Sequence, residues 1–327
     1  MSEPLLRVRG LTKHFPVGHA SLLRQGGQVL KAVDGISFDL PRGRTLGLVG
    51  ESGCGKSTTA RLILRLIEPT AGSVTLDGVE VSGAGPKALQ RLRREMQLVF
   101  QDPLSSLNPR MPVGVSIAEP LRFHGIGSRR ERHERARELL QVVGLKPADF
   151  ERYPHEFSGG QCQRVAIARA LILQPKLVVF DEPVSALDVS IRAQILKLLL
   201  QLQKDFDLTY VFISHDLSVI KRVCDMIAVM YLGEIVELAD SEQLYRAPQH
   251  PYTQALLRAI PSADPSKRYD DLGVLEGDVP SPIDPPAGCR FHTRCPKRME
   301  ICAARAPELR DLSGGRSVAC HLYEETA

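Results

Sequence analysis

The sequence lacks any long uncharged hydrophobic run. No stretch of its 327 residues approaches the roughly 18 consecutive apolar residues that a membrane-spanning helix needs. The first ten residues contain Glu3, Arg7 and Arg9 and no apolar segment, so they do not resemble a secretory signal. We therefore expect a chain that stays in the cytoplasm and does not cross a membrane.

The sequence also has little excess charge and no internal repeat. Its 42 lysines and arginines against 38 aspartates and glutamates give a net charge of +4, which is too small to indicate a nucleic-acid-binding protein. Hydrophobic residues make up 43% and charged residues 24%, as in ordinary globular proteins, which excludes a globally disordered chain. At roughly 150 residues per domain, the length predicts about two domains.

Cysteine is scarce in most of the chain and concentrated at one end. Three of the seven cysteines precede residue 261, whereas the last 67 residues contain Cys289, Cys295, Cys302 and Cys320. Eight of the 23 prolines lie in the same segment. Cytoplasmic thiols stay reduced, so clustered cysteines there more often hold a metal or a cluster than form disulfides. We predict one domain over residues 1–260 and a small Cys- and Pro-rich C-terminal domain over residues 261–327.

The order of strands and helices predicts an α/β fold. Short apolar segments at residues 45–49, 177–180 and 208–213 resemble strands buried on both faces, and segments with helical spacing separate them. Residues 128–143 predict a charged amphipathic helix that ends at Gly144, and we interpret its RRERHERAR run as a solvated face.

Residues 50–57 carry the strongest chemical signal. They fit the pattern G-x-x-x-x-G-K-[ST] between a predicted strand and a predicted helix, the context that a phosphate-binding loop requires. Lys56 would reach the β- and γ-phosphates of a nucleotide, and Ser57 would bind Mg²⁺. The alternative is a glycine-rich turn that contains a lysine by chance, and the position between a strand and a helix argues against it. The predicted nucleotide-binding residues here are Gly50, Glu51, Ser52, Gly53, Cys54, Gly55, Lys56, Ser57 and Thr58.

Polar residues follow three further apolar segments. Asp181 and Glu182 come at the end of a buried strand, where Asp181 would hold Mg²⁺ and Glu182 would polarise an attacking water. Gln101 could bind Mg²⁺ and orient water. His215 follows the strand at 208–213, and residues at this end of a strand in an α/β sheet lie near the ligand crevice. A lone histidine is more often structural, but this position favours a role in the site.

The segment FSGGQCQR at residues 157–164 resembles the LSGGQ signature of ATP-binding cassette (ABC) ATPases. The phosphate loop, Gln101, the signature, the two acids, SALD at residues 185–188 and His215 occur in the family's order, and the resemblance covers roughly residues 5–255. Two residues depart from the common pattern: Phe157 replaces leucine and Cys162 replaces arginine. The resemblance implies a P-loop cassette with a RecA-like core, an antiparallel β subdomain and an α-helical subdomain at about residues 102–157.

The resemblance also implies a mechanism. Two cassettes dimerise head-to-tail around two ATP molecules, so the signature binds the γ-phosphate held by the partner. Lys56, Gln101, Glu182 and His215 are the expected catalytic residues. The remaining expected nucleotide contacts are Phe15, which would stack on adenine, the signature residues Ser158, Gly159, Gly160 and Gln161, and the acid Asp188.

Longer segments resemble the ATPases of bacterial dipeptide and oligopeptide importers. These segments include VFQDPLSSLNPR at residues 99–110, HPYTQALL at 250–257 and GCRFHTRCP at 288–296. The resemblance implies an ATPase that drives peptide import from the cytoplasmic face of the inner membrane. Its partners would be a second, related ATPase in a heterodimer, two transmembrane permease subunits and a periplasmic or extracellular substrate-binding protein, with no nucleic acid. Nickel, glutathione and cell-wall (murein) peptides are alternative cargoes of this branch.

Two alternatives remain open at this point. The cysteine spacing C-x₅-C-x₆-C-x₁₇-C lacks the tight pair of zinc ribbons, and four thiolates could hold zinc or a [4Fe–4S] cluster. The resemblance favours the cluster, packed thiols are the alternative without a metal, and His292 and His321 are possible substitute ligands. A soluble cassette ATPase without membrane partners is the other functional class, but such proteins usually fuse two cassettes or carry coiled-coil insertions.

Overall fold

The structure is a computed structural model that describes residues 3–17, 28–259, 277–312 and 314–324. The chain forms two compact units. The first unit comprises Met1–Leu5, Pro41–Arg44 and Ala84–Ser214, and the second comprises Leu6–Leu40, Thr45–Gly83 and His215–Ala327. The division predicted at residue 260 falls at the edge of residues 260–276, which lie outside the described residues, and it stays a prediction.

Strands and helices alternate through much of the chain. The strands are β1 Leu6–Val17, β2 Gln28–Leu40, β3 Thr45–Val49, β4 Ala71–Leu76, β5 Val79–Glu80, β6 Met96–Val99, β7 Leu177–Asp181, β8 Thr209–Ile213, β9 Met226–Tyr231, β10 Glu234–Asp240, β11 Arg310–Leu312 and β12 Arg316–Val318. The helices are α1 Lys56–Ile63, α2 Pro86–Glu95, α3 Pro103–Ser106, α4 Val113–Phe123, α5 Arg129–Val142, α6 Gly159–Leu171, α7 Val189–Phe206, α8 Leu217–Val223, α9 Ser241–Arg246, α10 Pro251–Arg258 and α11 Ile301–Ala304. Short 3₁₀ turns lie at Pro147–Glu151, Pro154–Glu156 and His321–Tyr323.

The first unit contains parallel strands in the order β6, β7, β8. Val99 pairs with Phe180, and Asp181 pairs with Ile213, so the carboxyl ends of β6 and β7 lie at the same edge. All five residues of β8 are buried, as are the first four of β7. Strands buried on both faces are continuous apolar runs, which is why the sequence pattern identified β7 and β8 correctly.

The helices of the first unit pack through close contacts. α5 begins at a capping box in which Ser128 and Glu131 bond to each other's backbone N–H groups, and Gly144 follows it with φ of +77°. The predicted charged helix is therefore confirmed. In α4, a Cβ atom at Gly114 would lie 2.0 Å from the Phe150 ring, so only glycine allows the 3₁₀ turn at Pro147–Glu151 to approach this helix.

The second unit contains an antiparallel sheet in the order β2, β1, β4, β5. Leu6 pairs with both Leu40 and Leu76 and is fully buried. The turn between β4 and β5 has both Asp77 and Gly78 at positive φ, which is the geometry of a tight hairpin turn. The Asp-Gly pair thus closes a β-hairpin, as this dipeptide commonly does.

The second unit also contains β3, which pairs in parallel with β9. β10 runs antiparallel to β9. β12, which lies in the C-terminal segment from residue 261 onward (the tail), pairs with β10 through Glu237–Val318 and Leu238–Ser317. β11 completes this side by pairing with β12. The tail hairpin thus continues the sheet that leads into the phosphate loop. Among the described residues, no helix is long and apolar enough to span a membrane.

Candidate functional site

The loop between β3 and α1 depends on glycine at two close approaches. Gly50 has φ of +151°, and a Cβ atom there would lie 2.2 Å from the Met230 carbonyl oxygen. Gly55 has φ of +108°, and its Cβ atom would lie 2.2 Å from the carbonyl oxygen of Ala32. Because real Cβ atoms do not come this close to backbone atoms, the loop can lie between β2 and β9 only with glycine at positions 50 and 55.

Lys56 lies at the centre of this loop. Its buried ammonium group donates to the carbonyl oxygens of Gly50 at 2.8 Å and Glu51 at 2.9 Å. The Cys54 sulfur lies 3.7 Å from Nζ, and burial raises the pKa of this thiol, so a neutral group adjoins the lysine. Within the described residues, no side chain caps α1, so its first N–H groups can donate to an anion.

Other predicted nucleotide contacts belong to the same unit. Ser57 and Thr58 are half-buried on the first turn of α1, whereas Ser52 and Gly53 are exposed. Phe15 is half-buried on β1, opposite Leu30 of β2, and its ring lies 5.0 Å from the Lys13 ammonium group. β2 thus joins the phosphate loop to Phe15, because Ala32 of the same strand contacts Gly55.

The first unit brings two predicted catalytic side chains together. The Gln101 amide donates to Glu182 Oε2 at 3.2 Å across the carboxyl ends of β6 and β7. Glu182 has φ of +50°, and its backbone N–H bonds to the Ile213 carbonyl at 3.0 Å. Non-glycine residues in this region are strained, and such strain concentrates at functional sites. Asp181, which precedes it, is half-buried.

The signature begins helix α6 of the first unit. The Ser158 hydroxyl accepts from the Gln161 N–H at 3.4 Å, and the Gln161 side chain accepts from the Ser158 N–H at 2.9 Å. These bonds form a capping box, so both side chains also stabilise their own helix. Gly160 is buried, and a Cβ atom there would lie 2.4 Å from Ile191 of α7, whereas Ser158 and Gly159 are exposed.

Two further predicted residues are exposed at the starts of helices. Asp188 precedes α7 without capping it through its side chain, and the next residue, Val189, is 80% exposed. His215 belongs to the second unit and lies just before Asp216, whose carboxylate caps α8 by accepting the Ser218 N–H at 2.9 Å. Both predicted residues are therefore accessible to a ligand or to another chain.

The four cysteines of the tail influence one another. Burial raises the pKa of Cys289 to about 12 and that of Cys320 to about 11, and the other tail thiols add to both shifts. All seven cysteines lie in the described residues and none forms a disulfide there. The same residues contain no group of three or more His, Cys, Asp or Glu side chains that could hold a metal ion. The predicted metal site on Cys289, Cys295, Cys302 and Cys320 therefore has no support in the geometry. The predicted substitute ligand His292 bonds through Nδ1 to the Cys289 carbonyl oxygen at 2.8 Å.

Known proteins resemble this chain over almost its whole length. Residues 33–185 match the ABC transporter family, and residues 236–302 match the C-terminal region of oligopeptide/dipeptide transporters. The oligopeptide transport ATP-binding protein AppF of Bacillus subtilis is 50% identical over 98% of each chain. The di/tripeptide transport ATP-binding protein DppF of Pseudomonas aeruginosa is 49% identical over 99% of each chain.

The chain belongs to the ATP-binding subunits of ABC transporters. Solved structures agree with this assignment: cbiO1 from Clostridium perfringens has a TM-score of 0.65 with 26% identity and covers 75% of this chain and 92% of its own. The dimeric cassette MJ0796 bound to ADP and Pi has a TM-score of 0.63 with 30% identity and covers 72% of this chain and 98% of its own. This ABC subunit is therefore an ATPase that uses ATP and Mg²⁺, and its predicted α/β cassette fold is confirmed. The prediction of a separate Cys- and Pro-rich C-terminal domain is not confirmed by these structures.

Sequence reasoning missed contacts that reach the phosphate loop of this ABC ATPase from far along the chain. Tyr252 of α10 accepts the Glu51 N–H at 2.9 Å, and Arg294 of the tail binds the Glu51 carboxylate at 2.8 Å. Tyr252 lies in the segment HPYTQALL and Arg294 in the segment GCRFHTRCP, both of which resemble peptide-importer ATPases. Nothing in their local spacing indicates a partner more than 200 positions earlier, so the fold alone reveals these roles.

Proposed function

We propose that the chain is the ATP-hydrolysing subunit that energises import of dipeptides or oligopeptides by an ABC transporter at the cytoplasmic face of the inner membrane. The observation that carries this proposal is the presence in one chain of a cassette match and a peptide-transporter C-terminal match. The names of the relatives AppF and DppF, which align over at least 98% of this chain, support peptide as the cargo. Nickel, glutathione and murein peptides are the alternative cargoes.

The proposed chemistry is in-line attack of water on the γ-phosphate. In the first unit, Glu182 would accept a proton from the water, and the hydrogen bond from Gln101 supports this role by fixing the carboxylate. In the second unit, Lys56 and the uncapped N-terminus of α1 would neutralise charge that develops on the phosphates. When bound, Mg²⁺ would add to this neutralisation. The proposed Mg²⁺ ligands are Ser57, Asp181 and Gln101.

The first experiment tests the base. We expect Glu182→Gln to bind ATP as tightly as the unmodified protein and to lose turnover, because the amide cannot accept the proton. Glu138→Gln, which changes an exposed glutamate of α5 in the same unit, is the matched control and should keep full activity. Hydrolysis by Glu182→Gln at the unmodified rate would disprove the assignment.

A second experiment separates positioning from catalysis. If Gln101 acts by orienting Glu182, Gln101→Ala should slow ATP hydrolysis on its own but should not lower further the residual single-turnover rate of a chain that already carries Glu182→Gln. Fully additive effects on the rate would show that the 3.2 Å hydrogen bond does not couple the two residues. ATP affinity, measured in parallel, reports whether either variant disturbs binding rather than chemistry.

The proposed assembly is a heterodimer with a second, related ATPase on two transmembrane permeases and a substrate-binding protein. Exposure of the signature serine and glycine and of Asp188 supports contacts with another cassette. In that assembly the signature residues would bind the partner's ATP, His215 would act on the phosphates and Phe15 would stack on adenine. Residues 102–157 would form the helical subdomain of a cassette that ends near residue 260.

The assembly and the cargo can be tested together. The chain is co-expressed with permease and substrate-binding subunits from the same organism, and the purified complex is placed in proteoliposomes. Peptide-stimulated ATP hydrolysis and peptide uptake would support the proposal. Stimulation by nickel, glutathione or murein peptides instead would assign another cargo, and failure to co-purify with permeases would favour a cassette ATPase without membrane partners.

We also propose a [4Fe–4S] cluster on Cys289, Cys295, Cys302 and Cys320, with zinc as the alternative. The donor chemistry supports it, because soft thiolates are ligands of both. Burial raises the pKa values of Cys289, Cys295 and Cys320, and backbone N–H groups of Phe291, Lys297 and Leu322 offset part of this by donating to the three sulfurs. The geometry does not fit a metal site as described above, so no catalytic step passes through it. Anaerobically purified protein should contain iron and sulfide; stoichiometric zinc without iron, or neither metal, would refute the cluster.

A further inference from the structure

A segment of the cysteine tail contacts the phosphate loop directly. In the second unit, the Arg294 guanidinium donates to both carboxylate oxygens of Glu51, at 2.8 Å to Oε2 and 3.1 Å to Oε1. The Arg294 side chain is 6% exposed and that of Glu51 is 25% exposed. Charge-assisted bonds in this two-pronged geometry are among the stronger polar contacts in proteins, because the planar guanidinium matches a carboxylate. This pair therefore fixes a side chain of the loop to the tail.

Glu51 is held by its main chain as well. Its N–H donates to the Tyr252 hydroxyl at 2.9 Å, and its carbonyl oxygen accepts from the Lys56 ammonium group at 2.9 Å. The hydrogen bonds that Arg294 donates to Glu51 also raise the pKa of the guanidinium, so it stays charged. A continuous series of direct contacts thus runs from Arg294 through Glu51 to the lysine that the proposed chemistry assigns to the phosphates.

The same tail segment has a second attachment four residues earlier. Arg290 is 7% exposed and bonds to the Asp34 carboxylate and the Leu232 carbonyl oxygen, with Glu234 at 3.1 Å. Between the two arginines, the Phe291 ring is buried against the rings of Tyr231 and Tyr252. The segment is therefore held firmly enough to keep Arg294 in place.

The charge of Glu51 explains why such a contact matters for nucleotide binding. A carboxylate in a loop that binds a polyanion would repel the phosphates, and the repulsion would lower the affinity for ATP. Arg294 cancels this charge where it arises. It also keeps the Glu51 main chain in the conformation that holds Lys56.

We propose that Arg294 is a positioning residue of the phosphate loop, and that through its bond to Glu51 the cysteine tail sets the affinity of the cassette for ATP. This inference rests on ATP binding by the loop and adds a determinant that lies outside the cassette motifs.

The test compares two arginines of the same segment in the full-length chain. Arg294→Met removes the charge but keeps much of the side-chain length, and Arg298→Met removes an exposed arginine four residues later. The dissociation constant for ATP is measured by titration with a fluorescent nucleotide, together with KM and kcat. We expect Arg294→Met to weaken ATP binding about tenfold, within the roughly 5- to 150-fold range of typical coupling between sites. KM should rise with it, kcat at saturating ATP should be unchanged, and Arg298→Met should behave as the unmodified protein.

A rescue experiment distinguishes charge compensation from a merely structural role. If the loss in Arg294→Met arises from the unpaired carboxylate, adding Glu51→Gln should restore most of the lost affinity, which loss of packing alone would not allow. Arg294→Lys, which keeps the charge without the two-pronged geometry, should fall between the two and serves if Arg294→Met does not fold. An unchanged ATP dissociation constant in Arg294→Met, or no rescue by Glu51→Gln, would overturn the proposal. ATP binding by the unmodified chain in the same titration reports separately on the proposed function.

Discussion

The buried imidazole of His250 makes the stability of the second unit depend on pH between 7 and 5. His250 is 1% exposed and precedes α10, where its Nδ1 accepts the Tyr252 N–H at 3.0 Å. The backbone N–H of His250 donates to the Glu237 carboxylate at 2.9 Å. Burial lowers the pKa of this imidazole to about 3, because the charged form would lose its hydration. Protonation would also convert Nδ1 from an acceptor into a donor and remove the helix cap.

The magnitude follows from the difference between the folded and unfolded pKa values. An unfolded histidine binds a proton below about pH 6.5, whereas the folded one stays neutral until about pH 3. Stability present above pH 6.5 is therefore lost as the pH falls toward 3, by about 1.4 kcal/mol for each unit. Between pH 7 and pH 5 we expect His250 alone to lower the free energy of unfolding by about 2 kcal/mol.

His250→Asn isolates this effect. Asparagine can still cap α10 through its side-chain oxygen but does not titrate. Burial raises the pKa of Glu237, which has the opposite effect on stability as the pH falls, and this contribution cancels when the two proteins are compared. Urea unfolding followed by circular dichroism at pH 7, 6 and 5 should show the unmodified protein losing about 2 kcal/mol relative to the variant. A difference that does not change with pH would refute a strongly lowered pKa for His250.

Three further predictions concern other parts of the chain. Gly114→Ala should destabilise the first unit by at least about 1–3 kcal/mol because its Cβ would overlap the Phe150 ring, and Phe150→Leu in the same chain should recover part of the urea midpoint. Ser158→Ala should lose about 1 kcal/mol in the same unfolding assay because the Gln161 N–H loses its cap, and an unchanged midpoint would contradict this. Lys56→Ala should abolish binding of a fluorescent ATP analogue, because Lys56 is the one positively charged side chain in residues 50–57. Retained affinity would show that another group binds the phosphates.

The parts of the fold that the sequence predicts correctly are those with a local cause. The phosphate loop lies between β3 and α1 as expected, since glycines at positive φ and a strand-to-helix turn leave a recognisable pattern. The charged helix predicted over residues 128–143 also has a short-range cause, since the capping box at its start joins Ser128 and Glu131. In each case the residues that define the feature are at most a few positions apart, so the local sequence pattern is enough to predict the local backbone geometry.

Tertiary contacts were not predictable in this way. The pairing of β12 with β10 joins residues about 80 positions apart, and the Arg294–Glu51 bond joins residues 243 positions apart. The Gly114–Phe150 contact is invisible as well, because neither residue is unusual in its own segment. Motif order could therefore single out Gln101 and Glu182 as expected catalytic residues, but only the fold shows that they touch.

The tail illustrates how composition can mislead about contacts. Crowded cysteines and prolines indicate a segment that cannot bury much apolar surface of its own, and that reasoning favours an appendage held together by its thiols. The segment between Cys289 and Cys295 is instead stabilised by packing against other parts of the second unit. The Phe291 ring is buried there, which contributes roughly 1.5–3 kcal/mol. Two buried arginine side chains also bind carboxylates, one on β2 and one in the phosphate loop. Neither arginine could be buried without those partners, since an unpaired buried charge is strongly destabilising. The order of this part of the tail thus depends on the residues that surround the loop, and by the same contacts the loop depends on the tail. The change of composition near residue 260 therefore does not coincide with a change of packing unit, because the described residues of the tail and the phosphate loop belong to the same second unit.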